Sequence, residues 1–88
     1  MRSQTNGKFW RHFERLPTDV QARAGRIYML WRNNPAHPSL HFKRVSPEQP
    51  LYSVRIGQHY RALGLLDGDT ITWFWIGNHD DYERMLGG

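Results

Sequence analysis

Arg55, Arg61 and His79 are the residues of this chain best suited to chemistry by type and position. An arginine stays charged at every relevant pH and can clamp two phosphate oxygens at once. A histidine, with an unperturbed pKa of about 6.5, can give or take a proton near neutrality. All three fall near predicted strand ends within the segment Tyr52–Tyr82, YSVRIGQHYRALGLLDGDTITWFWIGNHDDY. Neighbouring strands lie about 4.8 Å apart, so side chains from them can converge on one patch. Arg55 and Arg61 flank a short connection, Gly57 to His59. Whether they share a face depends on register, which the sequence alone leaves open.

The elements that carry these residues follow from periodicity. Leu51–Ile56 alternates Tyr52, Val54 and Ile56 with Ser53 and Arg55, the period of a half-buried strand. A second strand runs from Tyr60 to Leu66. Asp67-Gly68 then signals a tight hairpin. The third strand is Thr70–Ile76, with Ile71, Trp73 and Trp75 expected on one face and Phe74 and Ile76 on the other. Apolar groups on both faces predict a strand covered on both sides. Asn78 followed by Asp81 predicts a capped closing helix whose apolar face is Tyr82, Met85 and Leu86.

Upstream, Thr5 or Asn6 can cap a first helix that runs to about Arg15, with Phe9, Trp10, Phe13 and Leu16 on one face. Thr18-Asp19-Val20-Gln21 has the capping-box pattern for a second helix to about Arg32. Its stripe is Val20, Ala24, Ile27 and Trp31, and Asn33-Asn34-Pro35 stops it. The short link between the two helices predicts an antiparallel hairpin on the sheet. Leu40–Val45 reads as a further strand with Leu40 and Phe42 inward and Lys43 sharing a face with His41. Pro47 and Pro50 keep the next turn out of the ladder.

The whole chain, residues 1–88, is expected to be a single domain. A domain of this size buries only about 60–65% of its unfolded surface, so twelve Trp, Tyr and Phe residues matter to its core. There is no cysteine, which excludes disulfide and thiolate chemistry. No apolar run approaches a membrane span and the first residues lack an apolar leader segment, so a cytoplasmic location without membrane contact is expected. Residues 1–61 carry eleven Lys or Arg against Glu14, Asp19 and Glu48, a net +8; residues 62–88 carry Arg84 against five acids, a net −4. A basic body of this kind attracts polyanions, and equally describes an arginine-rich solvated surface.

Each candidate has a plainer reading. Arg55 and Arg61 can pair with Asp67, Asp80 or Glu83. His79 can simply bind backbone, and Lys43 can be a solvated strand residue. Tyr82, spaced with Met85 and Leu86, fits the core of the closing helix. Trp73 and Trp75 fit core packing better than base stacking. His37 and His41 flank Pro38, which rules out a helical ligand pair, and no nearby carboxylate completes a site; neither metal nor cofactor is expected.

The motifs Asn34-Pro35-Ala36-His37-Pro38-Ser39-Leu40-His41-Phe42-Lys43, Leu51-Tyr52-Ser53-Val54-Arg55-Ile56-Gly57, Tyr60-Arg61-Ala62-Leu63-Gly64 and Trp75-Ile76-Gly77-Asn78-His79 with Tyr82 follow one another in order. Together they resemble the RelE/ParE toxins of bacterial type II toxin–antitoxin systems, from Phe9 to Leu86. The resemblance implies an α+β fold: a helical hairpin on a small, twisted, antiparallel sheet of three to four strands, with a short C-terminal helix. Family members commonly begin with a strand; Met1–Gly7 is short and polar, and whether it forms that strand is left open by the sequence. The resemblance implies a toxin neutralised by a small acidic antitoxin. RelE-like members cut mRNA in the ribosomal A site without metal; ParE-like members bind DNA gyrase and lack the nuclease residues. By resemblance to the nucleases, Arg61 and Arg55 would stabilise phosphate charge, His79 would transfer a proton, and Tyr82 would stack on a base or assist that transfer. Lys43, Arg44 and His41 would hold RNA. A gyrase-binding toxin and an inactive RNA- or antitoxin-binding module are the alternatives.

Overall fold

The computed structural model describes residues 1–87. The element order is β1 (Arg2–Thr5), α1 (Gly7–Glu14), α2 (Thr18–Asn33), a 3-10 turn (Pro38–Leu40), β2 (Lys43–Arg44), β3 (Leu51–Ile56), β4 (Tyr60–Asp67), β5 (Thr70–Asn78) and α3 (His79–Gly87). The described residues form an α+β architecture, with three helices and one five-stranded sheet in the order β1-β5-β4-β3-β2. None of the described helices is long and apolar enough to cross a membrane.

Five strands exceed the expected three to four, and the additional one is β1, the N-terminal strand that the sequence left open. β1 pairs in parallel with β5, Arg2 opposite Thr70 through Thr5 opposite Trp73, so the sheet is mixed rather than wholly antiparallel. Its polar composition is no obstacle at a sheet edge, because lateral partners satisfy the side chains. Ser3 Oγ bonds Tyr28 Oη at 2.5 Å, Gln4 Nε2 donates to Thr72 Oγ1 at 2.8 Å, and Trp10 Nε1 donates to Thr5 Oγ1 at 2.9 Å. That last bond takes Trp10 out of the expected core stripe and leaves it 48% exposed.

The helix starts use different devices. Asn6 Oδ1 accepts from the Phe9 N–H at 3.1 Å and caps α1. The capping box at Thr18 does not form: Pro17 occupies the cap position, and no side chain caps α2. Gln21 Nε2 instead donates to the carbonyls of Phe13 and Leu16, closing the end of α1. The expected strand Leu40–Val45 shrinks to β2, because Leu40 ends a 3-10 turn and His41 adopts a left-handed φ of 45°. Leu40 is nonetheless fully buried and Phe42 packs against the core, as the sequence pattern requires.

Register fixes the two faces. Residues opposite one another in antiparallel strands project to the same side. One face carries Val54, Ile56, Ala62, Ile71, Trp73 and Ile76, which form one cluster with Leu16 and with Val20, Ala24 and Trp31 of α2. Phe9 and Phe13 of α1 pack against that cluster. Trp31 meets Trp73 edge-on at 5.4 Å and Phe42 at 5.6 Å. The other face carries Leu63 and Trp75, covered by Tyr82 and Leu86 of α3. Trp75 thus lies opposite to the face expected for it. Leu63 pairs with Trp75 while Gly64 pairs with Trp73, so Phe74 is an extra residue in β5, a β-bulge. The bulge advances the alternation by one step and sends Phe74 and Trp75 to the second cluster.

Gly64 faces this bulge and has no room for a side chain. A Cβ there would meet Ile71 Cγ1 at 2.7 Å and Trp73 Cε3 at 2.8 Å. Gly64→Ala is therefore expected to destabilise the fold by about 1–3 kcal/mol, through displacement of buried rings. Chemical denaturation of the variant checks this. An unchanged unfolding midpoint would contradict the packing described.

Candidate active site

Arg55 and Arg61 are directly opposed on β3 and β4, so their side chains share a face. It is the face that bears α3. Like charges in that relation repel. They are held together by the loop between their strands: Arg55 Nε donates to the Gly57 carbonyl at 3.1 Å. Arg61 Nη1 donates to Tyr60 O at 2.8 Å and Gly57 O at 3.3 Å. Both arginines are half-buried. Burial, and then the neighbouring Arg55, push the Arg61 pKa below its ordinary value. The carboxylate partners that the sequence offers do not reach them. The ion pairs among the described residues are His79–Glu83 and Arg84–Asp81.

Tyr82 lies beneath this patch. It is buried, belongs to the cluster of Leu63 and Trp75, and its hydroxyl donates to Ser53 Oγ on β3 at 3.2 Å. The Arg61 guanidinium carbon lies 6.0 Å from the Tyr82 ring centroid, at the outer limit of a cation–π contact. The His79 ring lies at the same 6.0 Å. Tyr82 is thus the shared floor of Arg61 and His79, with its own hydroxyl engaged. Ser53, the buried partner of that hydroxyl, carries no signal in the sequence, where it is one more polar residue in an alternating strand.

His79 opens α3. Asn78 Oδ1 accepts from the Asp81 N–H at 2.8 Å and caps the helix, as its spacing predicts. The His79 N–H donates to the His59 carbonyl at 2.7 Å, which ties the β3–β4 loop to the start of α3. The His79 imidazole Nε2 lies 3.1 Å from Glu83 Oε1, one helical turn on. A carboxylate there orients the ring and leaves Nδ1 free for another partner.

The three residues expected to hold RNA separate. Lys43 is opposite Ser53 in register, so it shares the face of Arg55 and is exposed. Arg44 is spent on the β2–β3 turn, its Nε donating to Ser46 O at 2.9 Å and Gln49 O at 3.1 Å. His41 sits on the left-handed residue after the 3-10 turn, outside β2, so it does not share the strand face of Lys43. His37 Nδ1 contacts Ser39 and caps that same turn. No group of three or more His, Cys, Asp or Glu side chains is gathered as a metal site among the described residues.

A fixed guanidinium pair, with an oriented imidazole on the same aromatic floor, is suited to phosphate chemistry. The family model of the ParE-like toxin domain matches residues 18–84. The chain belongs to this family of toxins. Its fold is similar to that of a RelB–RelE antitoxin–toxin complex from Methanococcus jannaschii, at 18% identity and a TM-score of 0.74 over 94% of this chain and 98% of that one. It is also similar to YafQ from E. coli, at 11% identity and a TM-score of 0.72 over 93% and 98%. The RelBE2 toxin–antitoxin complex from Mycobacterium tuberculosis matches at 17% identity and a TM-score of 0.71 over 89% and 96%. No curated protein sequence matches the chain significantly.

The floor role of Tyr82 separates two substitutions. Tyr82→Phe keeps the ring and is expected to cost about 1 kcal/mol for the lost hydroxyl contact. Tyr82→Ala is expected to cost about 3–5 kcal/mol. Denaturant titration of both variants checks this; equal costs would mean that the ring carries no load.

Proposed function

We propose that this toxin cleaves mRNA on the ribosome by metal-free attack of a ribose 2′-oxygen on the adjacent phosphorus. The observation that carries this reading is the opposed pair Arg55 and Arg61, half-buried and without a carboxylate partner among the described residues. In the reaction the 2′-oxygen forms a bond to phosphorus and the 5′-oxygen leaves. The products are a 2′,3′-cyclic phosphate and a free 5′-hydroxyl. Negative charge grows on the phosphoryl oxygens in between, and fixed donors aimed there lower the barrier. Arg61 and Arg55 supply those donors. His79, oriented by Glu83, transfers the proton that the 2′-hydroxyl loses to the leaving 5′-oxygen. Tyr82 positions Arg61 and His79 with its ring, and Lys43 holds a phosphate on the same face.

The partners are the ribosome with its mRNA and a cognate antitoxin of acidic character. The RelB–RelE and RelBE2 structures are antitoxin–toxin complexes, which supports the second partner. Gyrase binding without nuclease activity is the second reading, and the match to the ParE-like model favours it.

Induction of the protein in a bacterium, followed by mapping of mRNA 5′ ends across translated genes, tests the proposal. New ends at in-frame codon positions are expected. Arg61→Ala and His79→Ala should each lower their yield by about 100-fold or more while the protein stays folded. Growth arrest with intact mRNA and damaged DNA would transfer the assignment to gyrase. Full cleavage by both folded variants would reject the mechanism.

A further inference from the structure

The β3–β4 loop, Gly57 to His59, is gripped by arginine from two sides. Arg55 and Arg61 donate to the Gly57 carbonyl. Arg23 of α2 lies against the Gly57 α-carbon: a Cβ built there would meet Arg23 Cδ at 3.1 Å and Nη1 at 3.2 Å. Gly57 also has a φ of 70°, so this position needs glycine on both counts. Arg23 is half-buried. The ion pairs among the described residues leave it out, as they leave out Arg55 and Arg61. Three half-buried arginines therefore surround three residues of chain, with no carboxylate among the described residues paired to any of them. Such a cluster is repulsive in isolation and is relieved by an anion with several charges along its length. Arg23 comes from the helix-covered side and the other two from the second face, so the positive strip passes around the loop.

We propose that Arg23 is a further RNA-binding residue, which holds a backbone phosphate of the same single strand whose scissile phosphate lies at Arg55 and Arg61. The strand crosses the Gly57–His59 loop between the two positions. This rests on the phosphate-binding reading of Arg55 and Arg61 given above. Arg23 escapes sequence reading, because nothing in the helical period of α2 reveals a contact with a loop so distant in the chain.

The test is anisotropy of a labelled, 2′-O-methylated single-stranded RNA, titrated with purified protein over a series of salt concentrations. The methylated probe cannot be cleaved, so binding is read apart from catalysis. Arg23→Ala is expected to weaken binding several-fold at low salt and to reduce the slope of log K against log salt by about 0.7, the loss of one phosphate contact. Arg32→Ala removes the same charge from the exposed last turn of the same helix and is expected to keep the wild-type slope. Arg23→Gln repeats the test should the alanine variant fold poorly, and unfolding midpoints are measured alongside. Equal slopes for wild type and Arg23→Ala, or an equal fall in Arg32→Ala, would overturn the inference. So would a wild-type protein that ignores the RNA and binds an acidic peptide through Arg23. Absent cleavage in cells with an Arg23-dependent slope would overturn the nuclease reading alone; intact cleavage with no Arg23 dependence would overturn this inference alone.

Discussion

The β-bulge at Phe74 is the constraint on which the second face of the sheet depends. Without the extra residue, Trp75 would follow Ile71 and Trp73 onto the face covered by α1 and α2. With it, Trp75 joins Leu63 on the opposite face, and α3 gains an apolar seat for Tyr82 and Leu86. Tyr82 then reaches across β4 to Ser53 on β3. That reach places one aromatic ring beside both Arg61 and His79. A one-residue irregularity in β5 thus leads, through packing, to one aromatic ring that a guanidinium and an imidazole both approach. Gly64 makes the irregularity possible by leaving space for Ile71 and Trp73.

A sheet built for stability alone would not set Arg55 opposite Arg61. Like charges directly across a ladder repel, and partial burial removes some of the water that would screen them. The loop carbonyls of Gly57 and Tyr60 offset part of this with hydrogen bonds, which carry dipoles and no net charge. Local rules are commonly broken where a site must bind or react, and compensated elsewhere in the fold. Here the compensation lies in the large aromatic cores on both faces of the sheet, around Trp31 and Trp73 on one side and Trp75 and Tyr82 on the other.

Alternation of Tyr52, Val54 and Ile56 is enough to read β3, and the stripe Val20, Ala24 and Trp31 is enough to read α2, because both patterns are local. The caps at Asn6 and Asn78 are legible for the same reason. Arg55, Arg61 and His79 can be singled out by type, but the opposition of the two arginines and the approach of Arg61 and His79 to Tyr82 need a register that only the folded sheet supplies. What escapes the sequence is set by distant pairing. β1 exists because β5 offers it a free edge, and its polar side chains find partners on Tyr28, Thr72 and Trp10. The face of Trp75 depends on a bulge that no residue type announces. The left-handed turn at His41 breaks a strand that composition favours.

The most direct measurement of the central claim, that the opposed arginines serve phosphate rather than the fold, is a single-turnover one. Purified ribosomes programmed with a defined message would be mixed with wild-type protein or with Arg55→Gln, and the unfolding midpoint of each protein determined in parallel. The variant is expected to cleave about 100-fold more slowly with an unfolding midpoint equal to or above that of the wild type, since a repulsive contact has been removed. An unchanged cleavage rate, or a loss of rate that merely accompanies a loss of fold, would contradict it.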